Sequence, residues 1–104
     1  MTKPSDPYNP TIVNTSGSVT VLTTDKNKMF LPTGTTTYTL PLFSSVTAPF
    51  IIDFVFDNQV VVINPNATDL GSVYIDDMIN FNFSGGYGAI KIAKLTGSNR
   101  WRII

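Results

Sequence analysis

Residues 49–69, PFIIDFVFDNQVVVINPNATD, constrain this chain more than any other stretch. Phe50, Ile52, Phe54 and Phe56 share one parity, so on an extended backbone they project to one face. Ile51, Asp53, Val55 and Asp57 project to the other. Asp57, Asn58 and Gln59 tolerate turn geometry, and Val60, Val61, Val62 and Ile63 form a continuous β-branched run. Pro65, between two asparagines, closes that run because proline has no N–H to give a ladder. The stretch therefore predicts a two-stranded hairpin. Two strands alone are marginal in water, so the apolar face needs a second sheet to cover it.

Short strands are predicted on both sides of this hairpin. Residues 16–24 place Val19 and Val21 on one face, and residues 28–31 form a strand ended by Pro32. Residues 35–42 alternate, with Tyr38, Leu40 and Leu42 opposite Thr37 and Thr39. Residues 43–48 are small and polar enough for a loop crossing between sheets. Residues 72–75 and 78–83 are predicted strands, the second aligning Ile79, Phe81 and Phe83. Ser84-Gly85-Gly86-Tyr87-Gly88 is a turn with freedom for positive φ. Ile90 and Ile92 share a face that Leu95 leaves, which predicts a bulge near Ala93–Lys94. Trp101 and Ile103 of the last strand turn inward.

No window of helical length shows helical periodicity. The expected fold is all-β: a single antiparallel β-sandwich, jelly-roll-like, of about eight short strands over residues 13–104. Residues 1–12 are expected to form an extended arm, because each proline fixes its own φ and pushes its predecessor extended. Pro4, Pro7, Tyr8, Pro10 and Ile12 are the expected partner contacts, with Tyr8 and Ile12 as anchors.

Charged residues are 13% of the chain, about half the usual share, and Thr, Ser and Asn fill the polar positions instead. Net charge is zero with the cations dispersed, so no field exists to attract nucleic acid or an anionic membrane. Cysteine and histidine are both absent, which removes disulfides, thiolate metal sites and the usual general base. The opening MTKPSDPYNP has no apolar core, so no secretory leader is expected and the product is expected in the cytoplasm.

All seven acidic residues are aspartates. Asp53 and Asp57 share a strand face, but four residues of strand set them about 13 Å apart. A glycosidase pair needs about 5–9.5 Å, so both are expected to be solvated surface charges. Asp69, Asp76 and Asp77 lack the alternating spacing of a calcium loop. A serine nucleophile has no base beside it, and the glycine-rich turn precedes no helix that would hold phosphate. No catalytic, cofactor-binding or metal residue is predicted. Among Tyr8, Tyr74, Tyr87 and Trp101, the rings available to stack on a sugar, Trp101 is expected in the core. Tyr87, in its glycine-rich turn, is the best candidate ligand contact.

The order of Tyr38-Thr39-Leu40-Pro41, Ser45-Val46-Thr47-Ala48-Pro49-Phe50 and Val61-Val62-Ile63-Asn64-Pro65-Asn66-Ala67-Thr68-Asp69 resembles a module of tailed-phage virion proteins. Gly97-Ser98-Asn99-Arg100-Trp101-Arg102-Ile103-Ile104 is similar to the module's closing turn and strand. The resemblance spans about residues 36–104; Pro49 departs from it, where the module more often has glycine, and tandem repetition is lacking. It implies a tail-fibre, tail-spike or capsid-decorating protein, often trimeric, and brings no catalytic residues.

Two functions are therefore expected in turn. The first is a trimeric capsid decoration or cement protein, with the arm tying each copy to its neighbour or to the major capsid protein. The second is a carbohydrate- or receptor-binding module of a tail or head fibre, which requires exposed aromatics near Tyr87. Low charge and flat Thr-rich strand faces suit packing in a symmetric assembly.

Overall fold

A computed structural model describes residues 10–104. Pro4, Pro7 and Tyr8 of the expected arm lie outside the described residues. The strands are β1 (Thr11–Thr20), β2 (Lys28–Thr39), β3 (Phe50–Asp57), β4 (Val60–Asn64), β5 (Phe81–Ser84), β6 (Tyr87–Lys94) and β7 (Arg102–Ile103). A single 3-10 turn, Phe43–Ser45, interrupts them. The boundary expected between residues 12 and 13 falls inside β1.

All seven strands belong to one sheet. β1 pairs with β2 in parallel, and β2 pairs in parallel with both β3 and β4. β3–β6, β4–β5 and β6–β7 are antiparallel. The all-β class is as expected, but the sheet is mixed rather than antiparallel throughout. It curls into a half-barrel in place of the two facing sheets of a jelly roll.

The expected hairpin at 49–69 is not a hairpin. β3 and β4 do not pair with each other; they are successive segments of one bent strand. Their partners prove it. Phe50 faces Lys94 and Asp57 faces Tyr87 in one ladder, and Val60 faces Ser84 and Ile63 faces Phe81 in the next, so the register runs on unbroken. Only Asn58–Gln59 and Gly85–Gly86 separate the ladders. Asn58, Gly85 and Gly86 all have positive φ, at 65°, 81° and 94°.

The neighbouring strands break at the same level. The β1–β2 register shifts between Thr15 and Gly17, where Gly17 has φ 75° and β2 carries extra residues around Gly34. One transverse line of left-handed and bulged positions thus divides the sheet into two limbs. The near limb holds β3, β6, β7 and the first parts of β1 and β2; the far limb holds β4, β5 and the remainder. The bend is sharp. Phe30 and Tyr38 stand eight residues apart on β2, about 26 Å if the strand were straight. Their ring centroids are 5.5 Å apart.

The bend also explains a short connection. Parallel neighbours need a crossover of about a dozen residues or more, yet residues 21–27 suffice between β1 and β2 because the two limb ends face each other across the open mouth. Buried Asp25 organises that link, accepting the Leu22 N–H at 2.7 Å and the Lys28 ammonium at 2.6 Å.

Phe50, Ile52, Phe54 and Phe56 are all buried, as their parity requires, and join Phe30, Tyr38, Leu40, Val61, Ile63, Ile75, Ile92 and Trp101 in one core. The far limb supplies the cover that the aromatic face needs. Tyr38 meets Phe54 at 4.9 Å, and Phe56 stacks on Phe83 at 4.3 Å. Trp101 is fully buried edge-on to Phe43 and Phe50.

Four local expectations fail. Pro32 does not end a strand: β2 runs through it from Lys28 to Thr39. No register shift interrupts β6, which ends at Lys94 before half-buried Leu95. Ile79 is exposed and precedes β5, because Ile75 and Met78 close a tight bridge that turns the chain there. Residues 72–75 contribute only that bridge and one to Trp101 instead of a strand.

Candidate functional site

Three aspartates, Asp25, Asp69 and Asp76, hold the fold together. Asp69 is buried, and its Oδ2 accepts the Phe43 N–H at 2.8 Å. The same turn is gripped by Lys94, whose Nζ donates to the Phe43 and Val46 carbonyls at 2.7 and 2.8 Å. Asp76 Oδ1 accepts from Arg102 Nε at 2.8 Å and from the Ile103 N–H at 3.2 Å, which fastens β7. With Asp69 and Asp76 so engaged, no group of three residues able to hold a metal ion forms among the described residues.

Asp53 is not the solvated charge expected. It is 5% exposed, covered on the outer face of the near limb, where Met29 and Lys91 are its cross-strand neighbours. Lys91 Nζ lies 3.7 Å from its Oδ1, inside ion-pair range but too long for a hydrogen bond. Burial pushes the Asp53 carboxyl above its ordinary value, and Lys91 only partly opposes that. Tyr38 is a second shifted group: burial pushes its hydroxyl up, and a hydrogen bond shared with Thr15 pulls it partly back.

Of the predicted contact residues in the described chain, Pro10 precedes β1, and Ile12 lies within it, 59% exposed and facing outward beside Met29. Tyr87 opens β6 and is 76% exposed. Gly86 and Gly88 beside it face the other way, toward the Phe83 and Phe56 rings. Trp101, by contrast, is sealed in the core as its alternation with Ile103 implied.

Tyr87 stands on the rim of a cleft of about 610 Å³ on the outer face of the near limb, at the bend. The cleft exists because β2 leaves the bent strand: ladder pairs join them at Met29–Phe30 and resume at Thr36. Leu31, Pro32 and Val55 form the apolar part of the lining, with Asn14, Thr33, Asp57 and Gln59 as the polar part. Gln59 Oε1 accepts the Asp57 N–H at 2.7 Å, which orients its amide group. Among the described residues the Asp57 carboxylate has no hydrogen-bond or ion-pair partner. A smaller hollow of about 250 Å³ lies further along the same face, over Asp53, Met29, Val55, Lys91 and Ile104.

Asn14, Leu31, Thr33 and Gln59 escaped the sequence reading. Their outward parity is legible within each strand, but their meeting depends on which strands are neighbours and where the ladder opens. Neither a family model nor a curated protein matches this chain.

Proposed function

We propose that this protein is a non-enzymatic structural protein of a bacteriophage virion, a homotrimeric decoration or cement protein at the capsid surface. In this reading it is made in the host cytoplasm and binds its own copies and the major capsid protein or another virion protein. The half-barrel acts as a sandwich would, two limbs of one sheet facing each other across one core.

The observation that carries the reading is the bare edge of β1. Ten residues, TIVNTSGSVT, pair with β2 on one side, and among the described residues no strand pairs on the other. Monomers blunt such an edge with charge, proline or brevity. This one has none of the three; the register shift between Thr15 and Gly17 is its one irregularity, and Thr11–Thr15 and Gly17–Thr20 stay paired with β2 on either side of it. Covering it in a symmetric assembly satisfies the outward N–H and C=O groups and removes exposed Ile12 from water.

Light scattering coupled to size exclusion should give a mass near three times 11.4 kDa, and a monomer would overturn the proposal. Replacing Ile12 and Ser18 together by lysine should release monomers with unchanged far-UV circular dichroism; a persistent trimer would move the interface elsewhere. Mass spectrometry of particles of the encoding phage tests the placement, and absence from them would sink it.

A further inference from the structure

Beyond assembly, we propose that the cleft at the bend is a binding site for a neutral saccharide. Tyr87 is the platform, and Asp57, Gln59 and Asn14 are the hydrogen-bonding groups.

The chemistry of a sugar has two sides, and the cleft offers both. One side is the weakly polar C–H face of a pyranose, which packs on an aromatic ring. Tyr87 supplies an exposed ring on the outer face, with Asp57 as its cross-strand partner. A tyrosine has only two χ angles to fix, so little side-chain freedom is lost on contact. Leu31, Pro32 and Val55 continue the apolar surface into the cleft.

The other side is a fan of hydroxyls that donate and accept within one plane. An unpaired carboxylate takes two hydroxyl protons at once, and an amide offers a donor beside an acceptor. Asp57 is such a carboxylate. Gln59 has its Oε1 committed to the Asp57 N–H, so its NH₂ is left to donate outward. Thr33 donates to the Thr15 carbonyl at 3.2 Å, so its oxygen remains an acceptor. Asn14 brings a further exposed amide from β1.

Charge selects among saccharides. Asp57 is the charged group of the lining, and a sialylated or uronic ligand would set a second carboxylate against it. The size of the cleft falls among those of small-ligand sites, about 300–1,000 Å³. It is open at the surface, so one or two rings of a longer glycan can enter while the chain continues outward.

The test is a ¹⁵N-resolved NMR titration of the full chain in its native oligomeric state. The probes are tri-N-acetylchitotriose, mannotriose and lactose, with 3′-sialyllactose as the acidic comparison. At least one neutral probe should shift the amides of residues 57–59 and 85–88 in a saturable way at millimolar concentration, and sialyllactose should not. Tyr87→Ala should weaken that binding about tenfold, and Tyr87→Phe, which keeps the ring, by much less. Asp57→Asn should weaken it by a similar factor. No response to any neutral probe, shifts confined to other surfaces, or undiminished binding by Tyr87→Ala would each overturn the site. Light scattering on the same variants separates this outcome from the assembly proposal, since the cleft substitutions leave the β1 edge intact.

Discussion

Asp53 shows how a residue can be read correctly for its face and wrongly for its surroundings. Its parity put it outside the core, and it is outside; neighbouring side chains nevertheless bury it. A buried carboxylate with a raised pKa binds its proton more tightly folded than unfolded. Stability therefore falls as pH rises from the ordinary value of 3.8 through the raised folded value, and is greatest below both. Asp53→Asn keeps the shape without the charge. It should match the native chain at pH 3 and be more stable at pH 7, by a margin that grows across the same window. Urea unfolding at several pH values checks this, and a variant less stable at pH 7 would reverse the sign. Asp25 is also buried, but each of its oxygens accepts a hydrogen bond. Asp25→Ala orphans the Leu22 N–H and the Lys28 ammonium, and should cost about 1–3 kcal/mol in the same measurement.

At the scale of elements, the decisive feature is the transverse line of left-handed positions. The glycines at 85 and 86 announce freedom for positive φ, and the structure uses it, but as a corner within a ribbon rather than a hairpin turn. Sequence periodicity cannot separate these cases. Asp57-Asn58-Gln59 satisfies a turn and a kink equally, and which forms depends on whether the flanking segments pair with each other or with a third strand. The backbone explains what substitution would do. A Cβ at Gly86 would approach the Phe83 ring no closer than 3.9 Å, so the cost of Gly86→Ala is backbone strain, about 1–2 kcal/mol. Gly34, on the same line but without positive φ, meets only Ser16 Cβ at 4.0 Å. Gly34→Ala should be neutral or stabilise by about 0.4–1 kcal/mol. Thermal unfolding of the pair checks both, and equal losses would show that conformation is not what distinguishes them.

At the scale of the whole molecule, the two limbs share one core, with Tyr38 of the far limb packed on Phe30 and Phe54 of the near one. Neither limb buries its aromatic face without the other, so unfolding should be a single cooperative transition. Trp101 fluorescence reports the end packed by Phe43 and Phe50, and far-UV circular dichroism reports all strands. The two should share one midpoint in urea, and separate midpoints would show limbs that fold alone. What the sequence determined by itself was the all-β class, the buried parity of Phe50, Ile52, Phe54 and Phe56, the inward Trp101 and the exposure of Tyr87. These follow from side-chain period and local backbone freedom, which are properties of short segments. Tertiary structure alone decided that β1, β2 and the β3–β4 strand run parallel, that one sheet folds over itself, and that Asn14, Leu31, Asp57, Gln59 and Tyr87 meet around one cleft. Strand pairing is set by contacts between segments distant in the chain, and no local pattern encodes which edge meets which.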